Sequence, residues 1–409
     1  MSQNEITIET AAPVPPRDVF AGRHDGSVLP IPSRFTRDSF DDLLIWAGER
    51  KASDITFQTN EFVKAEIGAE IVRITQRPLT NDEMEDLVRY VYQTHGPGMV
   101  QAGYDLDPSH EVRIHGRQMR YRVNVTGIRI PQSTGYQITV RTLPSRPIPL
   151  VDLNVEPEII QNMRPAQGMI LVTGPTGSGK STLLSSLVGD IVSKPNANEK
   201  VLEYSSPIEY VYDGIVDPSA SVAQTEVGRH LRPHDGEGAD TQESLYAYAV
   251  RNALRRKPTI ILIGEARDKA TIAGCVEAAL TGHLVYSTTH VIGVPETLRR
   301  LVQPFPAESA RTVGYDIMQS LRMVVTQLLF PRIGGGRVAC REFMIFGSAT
   351  RNAFLGKDPD DWPALARKMM LGKRAVSRTL SESTYLAYRA GLLSQEHWHA
   401  RVRADREAA

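Results

Sequence analysis

The residues best suited to chemistry lie in one glycine-rich stretch that matches the pattern G-x-x-x-x-G-K-[ST] without a mismatch. An apolar run at 169–172 predicts a buried strand before the stretch, and leucines at helical spacing predict a helix after it. Glycines let successive backbone N–H groups turn towards one phosphate, and the start of a helix adds its positive end. The residues expected to bind phosphates are Gly174, Pro175, Thr176, Gly177, Ser178, Gly179, Lys180, Ser181 and Thr182.

Two side chains of this stretch have distinct predicted roles. Lys180 is expected to reach the β- and γ-phosphates of a nucleoside triphosphate, and Ser181 is expected to place its hydroxyl on Mg²⁺. The strand before the stretch and the helix after it argue against a chance match of a glycine-rich turn. The sequence therefore predicts a nucleotide site.

Acidic residues follow two other apolar runs. The run at 259–263 leads into Glu265, and the run at 201–204 carries Glu203 and is followed by Glu209. Ligands of open parallel sheets bind at the carboxyl edge of the strands, so Glu265 is expected near the γ-phosphate and Mg²⁺. Taken alone, Glu265 is also compatible with a surface acid at a strand end.

Two histidines flank a fourth apolar run, with His283 at its start and His290 at its end. Their spacing matches no established metal-ligand pattern, and a single histidine is more often structural. Three polar strand ends in one sheet nevertheless favour a cluster at the edge where ligands bind.

The pattern along the chain predicts an α/β protein with five segments. Residues 1–33 contain several prolines and no periodicity, which indicates a flexible arm. Residues 34–145 mix helical and period-two patterns and predict a small α+β domain, and prolines over 146–152 indicate a linker. Residues 153–350 alternate apolar strands with helices, which predicts a parallel sheet covered on both faces. Residues 351–409 are expected to form a helical segment and a tail.

Four local expectations are more specific. A hairpin is predicted at 111–125, with Arg113 and Arg120 on a solvated face. The strands at 324–330 and 338–346 are expected at the edge of the sheet. Residues 229–240 predict an exposed loop, and the last residues predict a solvated tail.

Composition limits the class of protein. The chain has 409 residues, with 47 Lys and Arg against 47 Asp and Glu, so the formal net charge is zero. This balance argues against nucleic acid as the direct ligand. Two cysteines are too few for a disulfide framework, and Cys275 is expected to be a core thiol. The absence of an apolar run of about 18 residues predicts no membrane insertion, and a cytoplasmic location is expected.

Four boxes of the sequence resemble those of the PilT-like superfamily of secretion and pilus-retraction ATPases. In chain order they are similar to its Walker A, Asp, Walker B and His boxes, which correspond here to 174–182, 205–209, 264–268 and 281–290. Three stretches at 52–55, 120–124 and 140–144 resemble the N-terminal domain of that superfamily. Within it, the chain looks most like the DotB/TraJ branch of type IVB secretion and plasmid conjugation.

The resemblance implies a RecA-like P-loop NTPase core behind a PAS-like N-terminal α+β domain, with C-terminal helices. It also implies a homohexamer that binds ATP between the two domains and is recruited through partners to the cytoplasmic face of the inner membrane. Glu265 matches the Walker B glutamate, and His283 and His290 match the His box. Arg122 and Arg141 match arginines that approach the phosphates when the domains close, and such arginines stabilise the charge of phosphoryl transfer.

One departure from the family pattern affects the chemistry. The Asp box usually begins Glu-Asp, whereas this chain has Ser205 and Ser206. A hydroxyl is a poor general base near neutral pH, so another acid is expected to polarise the attacking water. The candidates are Glu203, Glu209 and Glu265. The hypothesis is that Glu265 carries most of this role and Glu209 assists.

Three functions compete at this stage. The leading one is a hexameric ATPase that drives a type IVB secretion or conjugation apparatus, with pilus retraction as its neighbour within the family. The second is a DNA-translocating RecA-like ATPase, against which the zero net charge argues. The third is a scaffold that binds ATP without turnover, which the Asp-box serines keep open.

Overall fold

The computed structural model describes residues 31–67, 70–114, 117–131, 133–144, 146–233, 245–372 and 376–407. It divides into two compact units, the first ending at Leu143 and the second beginning at Pro144. Most of the predicted arm (1–33) and most of the predicted loop (229–240) lie outside the described residues. Each unit has its own apolar core.

The first unit is an antiparallel sheet of six strands, with helices packed on its core. Its elements are α1 (Arg37–Glu49), β1 (Asp54–Gln58), β2 (Lys64–Ile67), β3 (Glu70–Arg73), α2 (Asn81–Val91), α3 (Gly96–Gln101), β4 (Ser109–Ile114), β5 (Arg117–Ile130) and β6 (Ser133–Leu143). The strand order is β3-β2-β1-β6-β5-β4.

Helix α2 shows why the chain folds locally as predicted. Thr80 accepts from the Glu83 backbone N–H, and the Glu83 side chain accepts from the Thr80 backbone N–H, so the expected capping box is present. Met84, Leu87 and Val88 are buried against the sheet. The polar start and the apolar stripe therefore fix the beginning and the packed face of the helix.

The expectation for Arg120 is wrong. Its side chain is buried, with a relative exposure of 2%, and its Nε donates to Glu111 at 3.1 Å. Arg113, on the neighbouring strand, is exposed as predicted. The period-two pattern gave the correct face for Arg120, but it could not show that a cross-strand carboxylate allows the guanidinium to be buried there.

The second unit contains a sheet of eight strands between layers of helices. Its elements are a 3₁₀ turn (Leu150–Leu153), α4 (Pro157–Asn162), β7 (Gly168–Thr173), α5 (Lys180–Val192), β8 (Lys200–Ser205), β9 (Ser221–Glu226), α6 (Leu245–Leu254), β10 (Ile260–Ile263), α7 (Lys269–Leu280), β11 (Leu284–Thr289), α8 (Val294–Val302), α9 (Ala307–Ser320), β12 (Leu321–Pro331), β13 (Arg337–Ile345), α10 (Ser348–Leu355), a second 3₁₀ turn (Pro359–Asp361), α11 (Trp362–Met370), β14 (Ser377–Arg378), α12 (Leu380–Arg389) and α13 (Gln395–Glu407).

The strand order in this sheet is β14-β13-β12-β7-β11-β10-β8-β9. The four strands predicted from apolar runs, β7, β8, β10 and β11, are confirmed and pair in parallel. Alternate residues of β7 enter separate cores, with Leu171 on one face and Ile170 and Val172 on the other. The sheet is therefore covered on both faces, as expected for parallel strands.

Two expectations about the end of the chain are wrong. Strand β12 is interior, since it pairs in parallel with β7 and antiparallel with β13, and β13 in turn pairs with the short β14. The predicted solvated tail contains helix α13, whose Trp398 ring stacks at 5.2 Å on Tyr388.

Cys275 is fully buried, as expected for a core thiol, and burial raises the pKa of its thiol to about 12.

No helix among the described residues is long and apolar enough to cross a membrane.

Candidate nucleotide site

The glycine-rich stretch joins the end of β7 to the start of α5, as predicted. Gly174, Gly177 and Gly179 have φ values of +138°, +76° and +82°, a region that disfavours residues with a Cβ. Lys180 is the first residue of α5, and its Nζ donates to the carbonyls of Gly174 at 2.8 Å and Pro175 at 3.0 Å. The loop therefore closes around the lysine amine at the positive end of a helix.

Burial and two carboxylates set the electrostatics of this lysine. Lys180 has a relative exposure of 8%, and burial lowers the pKa of its amine, while the charges of Glu265 and Glu209 act to raise it. These two acids come from different strand ends, Glu265 from beyond β10 and Glu209 from beyond β8. The structure thus brings both predicted acids to the phosphate loop.

His290 lies between the lysine and one of these acids. Its Nδ1 is 3.5 Å from Lys180 Nζ, and its Nε2 is 3.6 Å from Glu265 Oε1. An ammonium group only donates, so a hydrogen bond in the first of these contacts would be accepted by Nδ1. His290, which follows β11, therefore lies between the phosphate loop and Glu265.

Glu203 has a different environment. Its side chain is buried, and its two oxygens accept from Ser205 Oγ at 2.9 Å and Gln224 Nε2 at 2.8 Å. The predicted common face of Glu203 and Ser205 is confirmed by the first of these bonds. Gln224 also donates to the Tyr210 carbonyl at 2.7 Å. Glu203 therefore holds the Asp-box segment against the edge strand β9.

Three polar residues near the loop were missed by the sequence analysis. The Tyr210 hydroxyl is 2.7 Å from Thr182 Oγ1, which ties the Asp-box segment to the phosphate-loop helix. On the other side, Gln327 Nε2 donates to the Ser178 carbonyl at 2.7 Å, and Arg341 Nε donates to Gln327 Oε1 at 2.7 Å. A polar residue within the apolar pattern of β12 was the available signal for Gln327.

One predicted site residue of the second unit lies away from the loop, and two others belong to the first unit. His283 precedes β11, and its Nδ1 lies 3.0 Å from the Ala278 carbonyl oxygen. The six residues of β11 lie between it and His290, a span of about 20 Å. Arg122 and Arg141 belong to the first unit, where they pair with Asp107 at 2.6 Å and with Asp54 at 2.8 Å. The structure does not bring His283 together with the phosphate loop, and the catalytic roles of all three residues stay predictions.

The loop fits a nucleotide phosphate by its own donors. Ser178 Oγ is buried, and within the described part of the chain it has no hydrogen-bond partner. Buried polar atoms are rarely left without one, which marks this hydroxyl as available to a ligand. The described residues hold no group of three or more His, Cys, Asp or Glu side chains arranged around a metal.

Comparison with known proteins agrees with this geometry. The family model described as type II/IV secretion system protein matches residues 35–380. The chain belongs to this family. It is 33% identical over 311 residues to the type IV pilus retraction ATPase PilT of Pseudomonas aeruginosa, with 76% of this chain and 83% of that protein covered.

Two solved structures extend the comparison to three dimensions. The X-ray structure of the Legionella pneumophila ATPase DotB superposes with a TM-score of 0.83 at 37% identity, covering 92% of this chain and 100% of that one. The pilus retraction motor PilT with bound ADP gives a TM-score of 0.74 at 28% identity, covering 88% and 95%. These findings confirm the predicted superfamily and the α/β fold class with its N-terminal domain. The chain is an ATPase of the P-loop class.

Proposed function

We propose that this chain works as a homohexamer that hydrolyses ATP to drive a type IVB secretion or conjugative transfer apparatus. The similarity to DotB, at 37% identity over the whole of that chain, carries the proposal. Tyr204, the run at 207–213 and the glycine-rich turn at 334–336 also resemble this branch. In this role the chain is recruited by partners to the cytoplasmic face of the inner membrane, without inserting into it.

The site supports a division of roles in hydrolysis. Lys180 and the loop amides would bind the phosphates, and Ser181 together with Glu265 would hold Mg²⁺, which would supply positive charge for phosphoryl transfer. Glu265 accepts a proton from the attacking water, or orients that water, while His290 keeps the carboxylate beside the lysine. Glu209, whose charge also acts on Lys180, assists Glu265 in this role. Arg122 and Arg141 supply positive charge from the N-terminal domain. The predicted domains are the N-terminal domain at 34–145, the linker at 146–152 and the ATPase core at 153–350.

Pilus retraction is the second candidate, because the chain is 33% identical to a pilus retraction ATPase over 76% of its length. The two functions share the ATPase chemistry and differ in the machine that is driven. The zero net charge of the chain disfavours DNA translocation, the third candidate function.

An allele carrying Lys180→Ala in the bacterium that encodes the chain separates the two candidates. We expect it to abolish transfer of a conjugative plasmid or of a reporter effector, and to leave twitching motility unchanged. Loss of twitching with normal transfer would contradict the proposal and favour retraction.

A further inference from the structure

A buried polar chain connects the phosphate loop to the segment that precedes α4. Gln327 lies on β12 with a relative exposure of 3%, and Arg341 lies on β13 with a relative exposure of 2%. The guanidinium donates to Gln327 Oε1 at 2.7 Å, to the carbonyls of Leu153 and Asn154 at 3.1 Å each, and to Glu156 at 3.1 Å. One arginine thus joins Gln327 to the segment 153–156, near the start of the second unit.

The orientation of the Gln327 amide follows from this arginine. A guanidinium has only donors, so the oxygen of the amide must face Arg341 and the nitrogen must face the loop. The nitrogen is 2.7 Å from the Ser178 carbonyl, and it donates to it. Arg341 therefore determines that Gln327 presents a donor to the phosphate loop.

The bond to Ser178 orients a second group on the opposite side. A trans peptide is planar, and its C=O and N–H point in opposite directions. The Ser178 carbonyl shares its peptide with the Gly179 N–H, the residue at which α5 is capped. Holding this carbonyl towards Gln327 turns the Gly179 N–H in the opposite direction, away from Gln327, where it could donate to a phosphate held by the loop.

Packing makes the same contact specific to glycine. A Cβ built on Gly174 would lie 2.4 Å from the Gln327 carbonyl oxygen, and one on Gly179 would lie 2.8 Å from Gln327 Nε2. Real Cβ atoms essentially never come so close to other atoms. Gln327 therefore contacts the loop through its backbone at one glycine and through its amide at another.

We propose that Gln327, oriented by Arg341, is a positioning residue for nucleotide binding that aims the Gly179 N–H at the phosphate. The proposal rests on the nucleotide site and holds for either machine that the ATPase drives. The amide oxygen of Gln327 accepts from Arg341, which sets the orientation of the amide. The amide nitrogen donates to the Ser178 carbonyl, which holds the loop in place.

The test replaces the donor and keeps the shape. In Gln327→Glu the residue still accepts from Arg341, whose charge keeps the carboxyl ionised, but an oxygen now faces the Ser178 carbonyl. We expect binding of a fluorescent ADP to the full chain to weaken by about tenfold or more, the cost of one buried hydrogen bond replaced by repulsion. KM for ATP should rise similarly, with kcat at saturation within about threefold.

Arg378→Gln is the matched control, because Arg378 also pairs with Glu156, at 3.4 Å, and has no bond to Gln327. It should bind ADP as the wild type does. Melting midpoints without nucleotide identify a folding defect, which would lower kcat and leave KM unchanged. If Gln327→Glu melts early, Gln327→Met removes the donor without adding charge and should also weaken binding.

Wild-type ADP affinity in both Gln327 variants, or equal weakening in Arg378→Gln, would overturn the proposal. A wild-type chain that binds no ADP would contradict the nucleotide site itself, and the role of Gln327 with it.

Discussion

At the scale of residues, the three acids that are candidates to polarise the attacking water have different surroundings. Glu265 and Glu209 act on the charge of Lys180, and His290 lies 3.6 Å from Glu265. Glu203 accepts from Ser205 and Gln224 in a buried setting. The ranking with Glu265 as the main acid and Glu209 assisting stays a prediction, and we expect Glu203 to have a structural role.

Glu265→Gln should lower kcat by about 10²–10³, because the amide no longer accepts a proton from water. Glu203→Gln should lower it by at most about tenfold, through altered packing of the Asp-box segment. Steady-state phosphate release by the two purified variants measures both, with the melting midpoint of each as control. Equal losses in the two variants would contradict the ranking of the acids.

At the scale of elements, the start of α2 contains a carboxyl whose pKa is strongly lowered. Burial acts to raise the pKa of Glu83, but hydrogen bonds from Arg77 and from the Phe35 and Thr80 backbone N–H groups outweigh it and hold the pKa at about 2. The usual value is 4.5. Since the folded pKa is depressed, the stabilisation is present above about pH 5 and is lost as pH falls towards 2.

Glu83→Gln should therefore destabilise α2 near neutral pH by at most about 3 kcal/mol, the equivalent of the pKa difference. Hydrogen–deuterium exchange of peptides from 80–91 in the full chain, compared between variant and wild type at each pH, measures this. The difference should be largest at pH 7 and should narrow as pH falls from 5 towards 2. A difference independent of pH would show that the capping geometry, and not the ionised carboxylate, stabilises the helix.

The elements also show what the sequence could and could not predict. The strands β7, β8, β10 and β11 were predictable because each is a nearly continuous apolar run. Strand β9 was missed because it lies at the edge with a largely polar sequence, and α13 was missed because Trp398 is its main apolar anchor. The interior place of β12 depends on pairing with residues more than 100 positions away, which local periodicity does not encode.

The same limit applies to the site. Lys180, Glu265 and His290 were predictable because a motif or a strand end marks each of them. Gln327 and Arg341 have no motif, and their importance follows only from the buried contacts that bring β12 and β13 to the loop. Tyr210 directly follows the predicted box at 205–209, but its bond to Thr182 required the three-dimensional structure.

At the scale of the whole molecule, the proposed hexamer has a direct consequence for mass. Light scattering after size exclusion, with the full chain and ADP, should give about six times the 45.3 kDa mass of one chain. A monomer at all nucleotide and protein concentrations would contradict the proposed assembly, although it would leave the nucleotide site of each chain intact.

Multiple-turnover phosphate release by the wild-type chain and by Lys180→Ala tests the central claim, that ATP is hydrolysed at the loop from 174 to 182. Lys180 is nearly buried among the loop carbonyls and beside two acids, and its amine is the positive charge that meets the phosphates. We expect sustained turnover by the wild type and a loss of about hundredfold or more in the variant. Equal rates in the two proteins, or no turnover by the wild type, would contradict the account.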